Sequence, residues 1–563
     1  MKTSNKYLQF LLVVAIIIVV NIIASFLYTE VDLTDDQRFT LSESTKAVIA
    51  APDDNITIKV LLDGEFPSGF KRLQSSVKDL MDKLRDINPN IVYEFEDPSE
   101  GSPRVVEQRQ KMLIEEKIVP VSLSYSDGTQ LVQKAVFPFA IVTYKAKKYI
   151  INLLEEQKPG DDEDVILNKS VALLEYKFAN AFQKLQAPRS KNVLFTQGNE
   201  EWDESQTFRL ESEIRRFHKV GRIYLDSLMK LDSTIDLLVV AGPKTPISIQ
   251  NQFKIDQYVM NGGKVLWLLD KFHISLDSIS KNKFYIPTDT DSGVDNLLFK
   301  YGARIMPDLI MDLECSYIPQ VIGMAGDKPQ TKLFPWYYHT SAATTSIHPI
   351  VKNVDRINMF FPSTIDTIKT DANIKKTILL TTSKYSRSQL QPMRLTFEIL
   401  KTAPDPSKFN GGQKPLAVLL EGQFESFFKN RLTPDVQSNL EQMGVQFIEK
   451  SKPTKQIVIS DSDFAKNLVN TTNGQTEDIG YNKWERKYYK GNKDFVINMI
   501  EYMLDDGSIL ESRSKEIKLR LLDAVKTKDE KTKWQFINVG LPVVLLAIFG
   551  IIYHYIRRRR FTS

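Results

Sequence analysis

A single cysteine, Cys315, stands among 563 residues. That scarcity excludes an intramolecular disulfide framework, a CxxC redox pair and any zinc or iron–sulfur site built from several thiolates. Histidine is nearly as sparse. The five residues His218, His273, His339, His348 and His554 never fall at HxxxH or HExxH spacing, so a histidine-rich metal centre is not expected and only carboxylate sites stay open. Glycine and proline, at 24 and 25 residues, are too few for a collagenous or low-complexity chain, and 42% hydrophobic with 26% charged residues is ordinary globular composition. No short-period repeat is visible. At roughly 150 residues per domain, about three or four folded units are expected.

Charge is missing altogether from two stretches. Residues 7–28 carry none and are rich in Leu, Ile and Val, long enough to cross a bilayer, which needs about 20 apolar residues. Lys2 and Lys6 before it also suit a signal peptide, with Ala24-Ser25 as small residues near its end. The run exceeds the usual apolar core of about 7–15 residues, which favours an uncleaved anchor. The second uncharged stretch, 534–556, has an aromatic rim of Trp534, Phe536, Tyr553 and Tyr555 and stops at Arg557, Arg558, Arg559 and Arg560. With Lys2 and Lys6 before the first span and acidic Glu30, Asp32, Asp35 and Asp36 after it, the positive-inside rule places tails 1–6 and 557–563 in the cytoplasm and the main domain outside the inner membrane, in the periplasm. Of the net charge of +4, the tails supply +2 and +4, leaving residues 29–533 at −2. Nucleic-acid partners call for a basic patch, so none is expected. The lysine-rich segment 511–533 reads as a solvated stalk, or one that touches anionic headgroups of the lipid bilayer.

The external part reads as α/β. Ser42 is placed to N-cap a short helix. A strand at 56–62, an amphipathic helix at 70–87 with Leu73, Val77, Leu80 and Leu84 on one face, and a strand at 91–95 form a βαβ unit. A helix near 105–117 follows, then a strand opened by Val119-Pro120, a turn at Ser126-Asp127-Gly128 and a return over 135–144. The order suggests a thioredoxin-like domain over 29–155 lacking its CxxC, with Val119-Pro120 as a candidate cis bond. Residues 156–190, with the acidic break Pro159-Gly160-Asp161-Asp162-Glu163-Asp164 and a helix from 168 to 185, form a linker. Alternating strands and helices then predict a Rossmann-like parallel sheet over 191–510, with an irregular insertion at about 271–370. Strands are expected at 192–196, 222–225, 235–241, 264–269, 377–382, 416–420 and 456–460. Continuous apolar runs such as Leu237-Leu238-Val239-Val240 suit strands covered on both faces.

In such sheets ligands favour the carboxyl ends of the strands. Asn199, Glu200 and Glu201 follow one strand, Gly242-Pro243 another, Asp270 a third and Asp461-Ser462-Asp463 a fourth. These carboxylates suit a cation or a sugar hydroxyl; the competing reading is that short polar residues there form turns and N-caps. No catalytic residue, metal ligand or cofactor is assigned. Gly64-Glu65-Phe66-Pro67-Ser68-Gly69 has the opening of a P-loop, but Phe70 stands where its lysine belongs, so ATP binding is not expected. Gly262 and Gly263 follow a helix and read as its terminator. Cys315 has His339 and His348 downstream; a buried, inert thiol is favoured over a nucleophile.

The N-terminal anchor, Arg38-Phe39-Thr40-Leu41-Ser42, Phe195-Thr196-Gln197-Gly198, Asp236-Leu237-Leu238-Val239-Val240-Ala241-Gly242-Pro243, Tyr258-Val259-Met260-Asn261-Gly262-Gly263-Lys264-Val265-Leu266 and the C-terminal anchor occur in one order. Over nearly the whole chain this resembles the GldG family, gliding-motility-associated auxiliary, substrate-binding-like components of a Bacteroidetes ABC transporter. The resemblance implies a membrane-anchored subunit working with the permease GldF and the ATPase GldA. Relatives have Gly-His-Gly-Glu where this chain has Gly198-Asn199-Glu200-Glu201, a departure that favours binding or scaffolding over a shared active site. The rival readings are an envelope scaffold with no transport role and a degenerate hydrolase acting on envelope glycan.

Overall fold

The computed structural model describes residues 40–505 apart from breaks at 117, 127–130, 156–162, 187–189, 283, 327, 345, 353, 371, 443–445 and 470–473, together with residue 10 and residues 12–21, 533–534 and 536–561. It divides into two compact units, 1–515 and 516–563. Near the N-terminus an apolar helix, α1, runs Leu12–Asn21. Ten residues of helix reach about 15 Å, half a hydrocarbon core; the rest of the expected span 7–28, except Phe10, lies outside the described residues.

Helix α2 (Glu43–Ala50) is capped as expected, with the Ser42 hydroxyl accepting from Thr45 N–H. Strand β1 (Ile56–Val60) leads to α3 (Ser68–Ile87), whose buried stripe is Phe70, Leu73, Val77, Leu80, Met81 and Leu84. Then come β2 (Ile91–Phe95), α4 (Pro103–Glu115), β3 (Val121–Ser126), β4 (Leu131–Val136), β5 (Phe139–Tyr144), β6 (Lys147–Asn152) and α5 (Glu163–Gln186). The sheet order is β2-β1-β5-β6, with β1 parallel to β2 and antiparallel to β5. Where the sequence suggested one return strand over 135–144, there are two. Pro138 has no N–H for a ladder, so β4 ends before it and, among the described strands, pairs only with β3, while β5 joins the sheet. The Val119-Pro120 bond is trans; the cis bond among the described residues is Gln391-Pro392.

The second sheet begins with β7 (Asn192–Gln197), α6 (Glu204–Ile214), β8 (Lys219–Tyr224), β9 (Leu237–Ala241), α7 (Ile249–Met260) and β10 (Val265–Leu268). The stretch expected to be irregular is instead well ordered. It holds α8 (Leu276–Asn282), α9 (Asp295–Tyr301), β11 (Ala303–Ile305), β12 (Asp308–Asp312), β13 (Cys315–Ala325), β14 (Lys328–Ala342), β15 (Ile357–Asn358) and β16 (Ile365–Thr367). Strands β13 and β14 form a long hairpin broken by bulges, and Pro319, Pro329, Pro335, Gly323 and Gly326 within it hide the alternation a reader of sequence looks for. Next are β17 (Ile374–Thr381), β18 (Ser386–Leu390), β19 (Pro415–Gly422), α10 (Pro434–Gln442), β20 (Thr454–Ile459), β21 (Tyr481–Asn482), β22 (Lys487–Tyr488) and α11 (Lys490–Leu504).

The seven-stranded sheet has the order β17-β19-β20-β10-β9-β7-β8, parallel from β20 to β8, with β19 antiparallel to both its neighbours. Every residue of β9 is buried, and the run divides by side-chain alternation. Leu237 and Val239 join Phe495, Met499 and Leu210 on the α6/α11 face, while Leu238 and Val240 join Ile255, Val259 and Leu298 on the α7/α9 face. Gly262 takes φ +96° after α7, and a Cβ on Gly263 would sit 2.5 Å from the Tyr258 ring, so both glycines are structural. The two sheets meet through α5 and α11: Lys184 Nζ lies 2.9 Å from Glu501 Oε1 and over the Phe217 ring, and Tyr149 stacks on Phe217.

In the second unit, a π-helical turn Phe536–Gly540 precedes a helix Leu541–Phe561. Residues Ile537–Arg559, 23 residues with mean hydropathy 2.1, are the one stretch among the described residues long and apolar enough to cross a membrane.

Candidate functional site

The carboxyl ends of β7, β9, β10 and β20 gather the residues singled out from the sequence, and the first question is what their polar atoms do. The chain passes from β7 outward through α6 to β8, then returns so that β9 lies on the opposite flank of β7. This reversal is where open α/β sheets keep a ligand crevice. Here the loops on either side are bonded to one another. Asn199 Nδ2 donates to Pro246 O at 2.8 Å, Lys244 N–H donates to Asn199 O at 2.9 Å, and Trp202 N–H donates to Ala241 O at 3.1 Å. Glu201 Oε2 accepts from Asn199 N–H at 2.6 Å. The Trp202 indole is buried, and its Nε1 would lie 2.6 Å from any Cβ placed on Gly242, whose φ is +63°. Asn199 therefore ties the two loops together and Trp202 packs against Gly242, while Glu200, at φ +55°, is exposed and Glu201 Oε1 is buried without a hydrogen-bond partner among the described residues.

Asp270 and Asp461 are brought together at the ends of adjacent strands β10 and β20, with Ser462, Asp463 and Lys466. Asp270 accepts from Ser462 N–H at 2.6 Å and from the Ser462 hydroxyl. Asp461, wholly buried, accepts from Phe360 N–H at 2.6 Å and Asp463 N–H at 2.9 Å. Lys466 Nζ pairs with Asp463 at 2.7 Å. Burial, reinforced by the charge of Asp463, pushes Asp270 up to about 6. Burial also drives Asp461 well above the carboxylate range, with Asp270 and Asp463 adding repulsion. Burial works against the charge on Lys466, but the carboxylates overcome it and raise its pKa. Both carboxylates are thus tied to the chain's own N–H groups, which makes them locks between loops (β20 to the 360 strand connection, β10 to β20) before they are anything else.

A pH signature follows. Asp270 binds a proton in the folded state that the unfolded chain has lost once pH passes about 4, so its ionisation makes stability fall as pH rises from there to about 6, and stay lowered above. Asp270→Asn removes that loss. Its unfolding free energy is expected to match wild type near pH 4 and to exceed it increasingly up to neutrality, by on the order of 3 kcal/mol; a variant less stable than wild type at pH 7 contradicts the assignment.

The other candidates lie elsewhere. Cys315, half-buried on β13, has its thiol pushed up to about 12 by burial, with Asp312 and Glu485 adding to it. His339 is buried against Phe360 and Phe361, and burial pushes it down to about 3. His348 packs edge-on against Tyr502. Among the described residues no hydrogen bond joins Cys315 to either histidine, and no group of three or more His, Cys, Asp or Glu side chains is placed to hold a metal ion. Gly69 is glycine for packing, since its Cβ would meet Leu167 at 2.5 Å. Sequence reasoning missed Trp202, Lys466 and the Phe360 N–H. Only Lys466 left a signal, three residues after Asp463 on a single helical turn.

Comparisons with known proteins add the following. Residues 190–499, more than half of the chain, match a family described as an ABC-type uncharacterized transport system, with the short name ABC_transp_aux, and residues 35–143 match a domain of unknown function, DUF7088. An uncharacterized protein of Borreliella burgdorferi is 21% identical over 569 aligned residues, covering 99% of each chain. Among solved structures, the mmIFT52 N-terminal domain aligns with 56% of this chain and 97% of its own at TM-score 0.30 and 12% identity. The exo-β-1,4-mannosidase Op5Man5 from Opitutaceae bacterium strain TAV5 aligns with 52% of this chain and 34% of its own at TM-score 0.21 and 12% identity. Likenesses that low bear on neither fold nor function.

Proposed function

From the premise that this chain belongs to the auxiliary family of ABC-type transport systems, we propose that it is a non-catalytic accessory subunit, held in the inner membrane by two spans, 7–28 and 534–556, with both tails cytoplasmic and the large region periplasmic. In this reading the β2-β1-β5-β6 sheet is a thioredoxin-like domain without redox residues, and the seven-stranded sheet is a Rossmann-like lobe that has given up its ligand crevice. The observation that supports the reading is the bonding of the loops across that crevice by Asn199, with Trp202 packed against Gly242. A hydrolase needs an acid, base or nucleophile converging on open space; here Asp270 and Asp461 are bonded to backbone and hydroxyl groups of neighbouring loops.

The lysine missing after Gly69 leaves ATP hydrolysis to a partner. The likeness to GldG supports a permease of the GldF type and an ATPase of the GldA type as that partner, and a role in gliding motility. A subunit of this kind responds to the partner's cycle only through contacts that differ between the partner's two states. Its external region would then engage cargo or an envelope component.

The discriminating experiment replaces Glu200 and Glu201 by Ala and Asp270 and Asp461 by Asn in the full-length chain, then tests complementation of a deletion strain. Retained function in a folded variant at least as stable as wild type is the expected result. Lost function in a folded variant would move the reading to ligand binding or envelope-glycan hydrolysis at the strand ends.

A further inference from the structure

We propose that the β13–β14 hairpin is a lipid-contacting arm, which lies on the bilayer surface with one face sunk below the headgroups. Across the ladder Tyr317 stands opposite Pro335, Pro319 opposite Leu333, Val321 opposite Thr331 and Met324 opposite Pro329. Directly opposed residues share a face, and the partners on β14 fall at every second position, so all four pairs lie on one side of the ribbon. The bulge between Val321 and Gly323 takes up one extra residue, Ile322, and returns Met324 to that side. By the same alternation the other side carries Ile318 and Trp336 at the base, both buried in the cluster with Leu309 and Met311, and then Gln320, Gln330 and Lys332 further out. Val321 to Met324 and Pro329 to Leu333 are exposed without exception. The outer half of the hairpin therefore stands clear of the other described residues.

None of the four pairs on the first side includes a charged residue. With the bulged Ile322, Tyr317, Val321, Met324 and Leu333 stay 44–65% exposed. Single exposed apolar residues are ordinary, but a continuous stripe of them marks a surface that something covers. A protein occupant fits it poorly. Pro319, Pro329 and Pro335 lack the N–H groups that strand addition from a second copy needs. The stripe is also far smaller than the roughly 20–30 residues a side of a stable interface, and it has no charged rim. A lipid surface requires neither. Shallow insertion takes apolar side chains on one face, polar ones on the other and an aromatic residue at headgroup level. Val321, Met324 and Leu333 meet the first condition, Gln320, Gln330 and Lys332 the second and Tyr317, at the base of the arm, the third. The apolar helix Ile537–Arg559 holds the chain at a bilayer in the membrane-anchored reading, on which this proposal rests.

The test uses the full-length chain in lipid nanodiscs, one copy per disc, with Cys315→Ser and a single environment-sensitive fluorophore on Val321→Cys, on Leu333→Cys or, as the control on the opposite side, on Gln330→Cys. Nitroxide on the lipid acyl chains is expected to quench the labels at the Val321 and Leu333 positions about threefold or more strongly than the label at the Gln330 position, and aqueous iodide to do the reverse. Val321→Asp combined with Met324→Asp should return the label at the Leu333 position to water with an unchanged circular dichroism spectrum. Equal quenching by lipid nitroxide on both sides, or equal access of iodide to both, overturns the proposal and leaves the anchored reading intact. So does a blue-shifted label that lipid nitroxide fails to quench, because protein would then cover the stripe: the chain's own segments if the shift is present at one copy per disc, a second copy if it needs two. A folded chain that does not enter the nanodisc overturns the anchored reading and this proposal together.

Discussion

Replacing Glu211 by alanine is expected to cost about 3–5 kcal/mol of stability, because it strips a counter-ion from a buried cation. Glu211 has no exposed surface and receives Arg222 at 2.5 Å, Arg215 at 2.6 Å and the Thr207 hydroxyl at 2.7 Å. Arg222, itself mostly buried, also donates to the carbonyl of Trp202 at 2.8 Å. The substitution leaves that guanidinium with a carbonyl and a hydroxyl where it had a carboxylate, and it loosens Trp202, which packs against Gly242. Glu211→Gln keeps the volume and one acceptor and should cost less than half as much. Replacing Glu211 and Arg222 together by Met should cost less than the alanine variant alone, since a buried pair can be exchanged for apolar packing with little loss. Denaturant unfolding checks all three, and a cost below about 1 kcal/mol for Glu211→Ala would contradict the account.

The second large effect lies where the two sheets meet. Glu501 lies 2.9 Å from Lys184, with both side chains mostly buried. Burial alone would depress the Lys184 pKa; the charge of Glu501, with Tyr149 and Tyr176, raises it instead. Glu501→Ala is therefore expected to destabilise the protein by about 3–5 kcal/mol at neutral pH. The pH dependence separates this cause from lost packing. In wild type, the raised lysine contributes stability that is fully present below its ordinary pKa of 10.5 and lost only as pH climbs through the higher folded value. In the variant, Lys184 is buried without a counter-ion, so its folded pKa falls and the variant gains relative stability as the ammonium deprotonates. The gap between wild type and variant should narrow from pH 7 to pH 10; a constant gap would assign the loss to packing.

How much of this was legible in the sequence depended on whether a local pattern carried the information. The Leu237-Leu238-Val239-Val240 run announced a strand covered on both faces, and the α3 stripe of Leu73, Val77, Leu80 and Leu84 announced one buried helix face. Ser42 announced a cap. The β13–β14 hairpin stayed hidden because its prolines and bulges erase the two-residue period. The return after β3 reads as one strand in the sequence because nothing but Pro138 marks where one apolar run divides into two strands in different sheets.

The site shows the same limit. Asn199, Glu201, Asp270 and Asp461 could be placed at strand ends from spacing alone. That Asn199 bridges two loops, and that Asp461 is held by the N–H of Phe360, a hundred residues before it in the chain, are products of tertiary packing. No periodicity reports them.

The central claim, that this is an accessory subunit of an ATP-driven transport complex, is tested most directly by purifying the tagged full-length protein in mild detergent and identifying what accompanies it by mass spectrometry. A multispanning permease and a P-loop ATPase in constant proportion to the chain are the predicted result. A folded chain that brings down neither, across several detergents, would contradict the claim and leave an independent envelope scaffold or enzyme in its place.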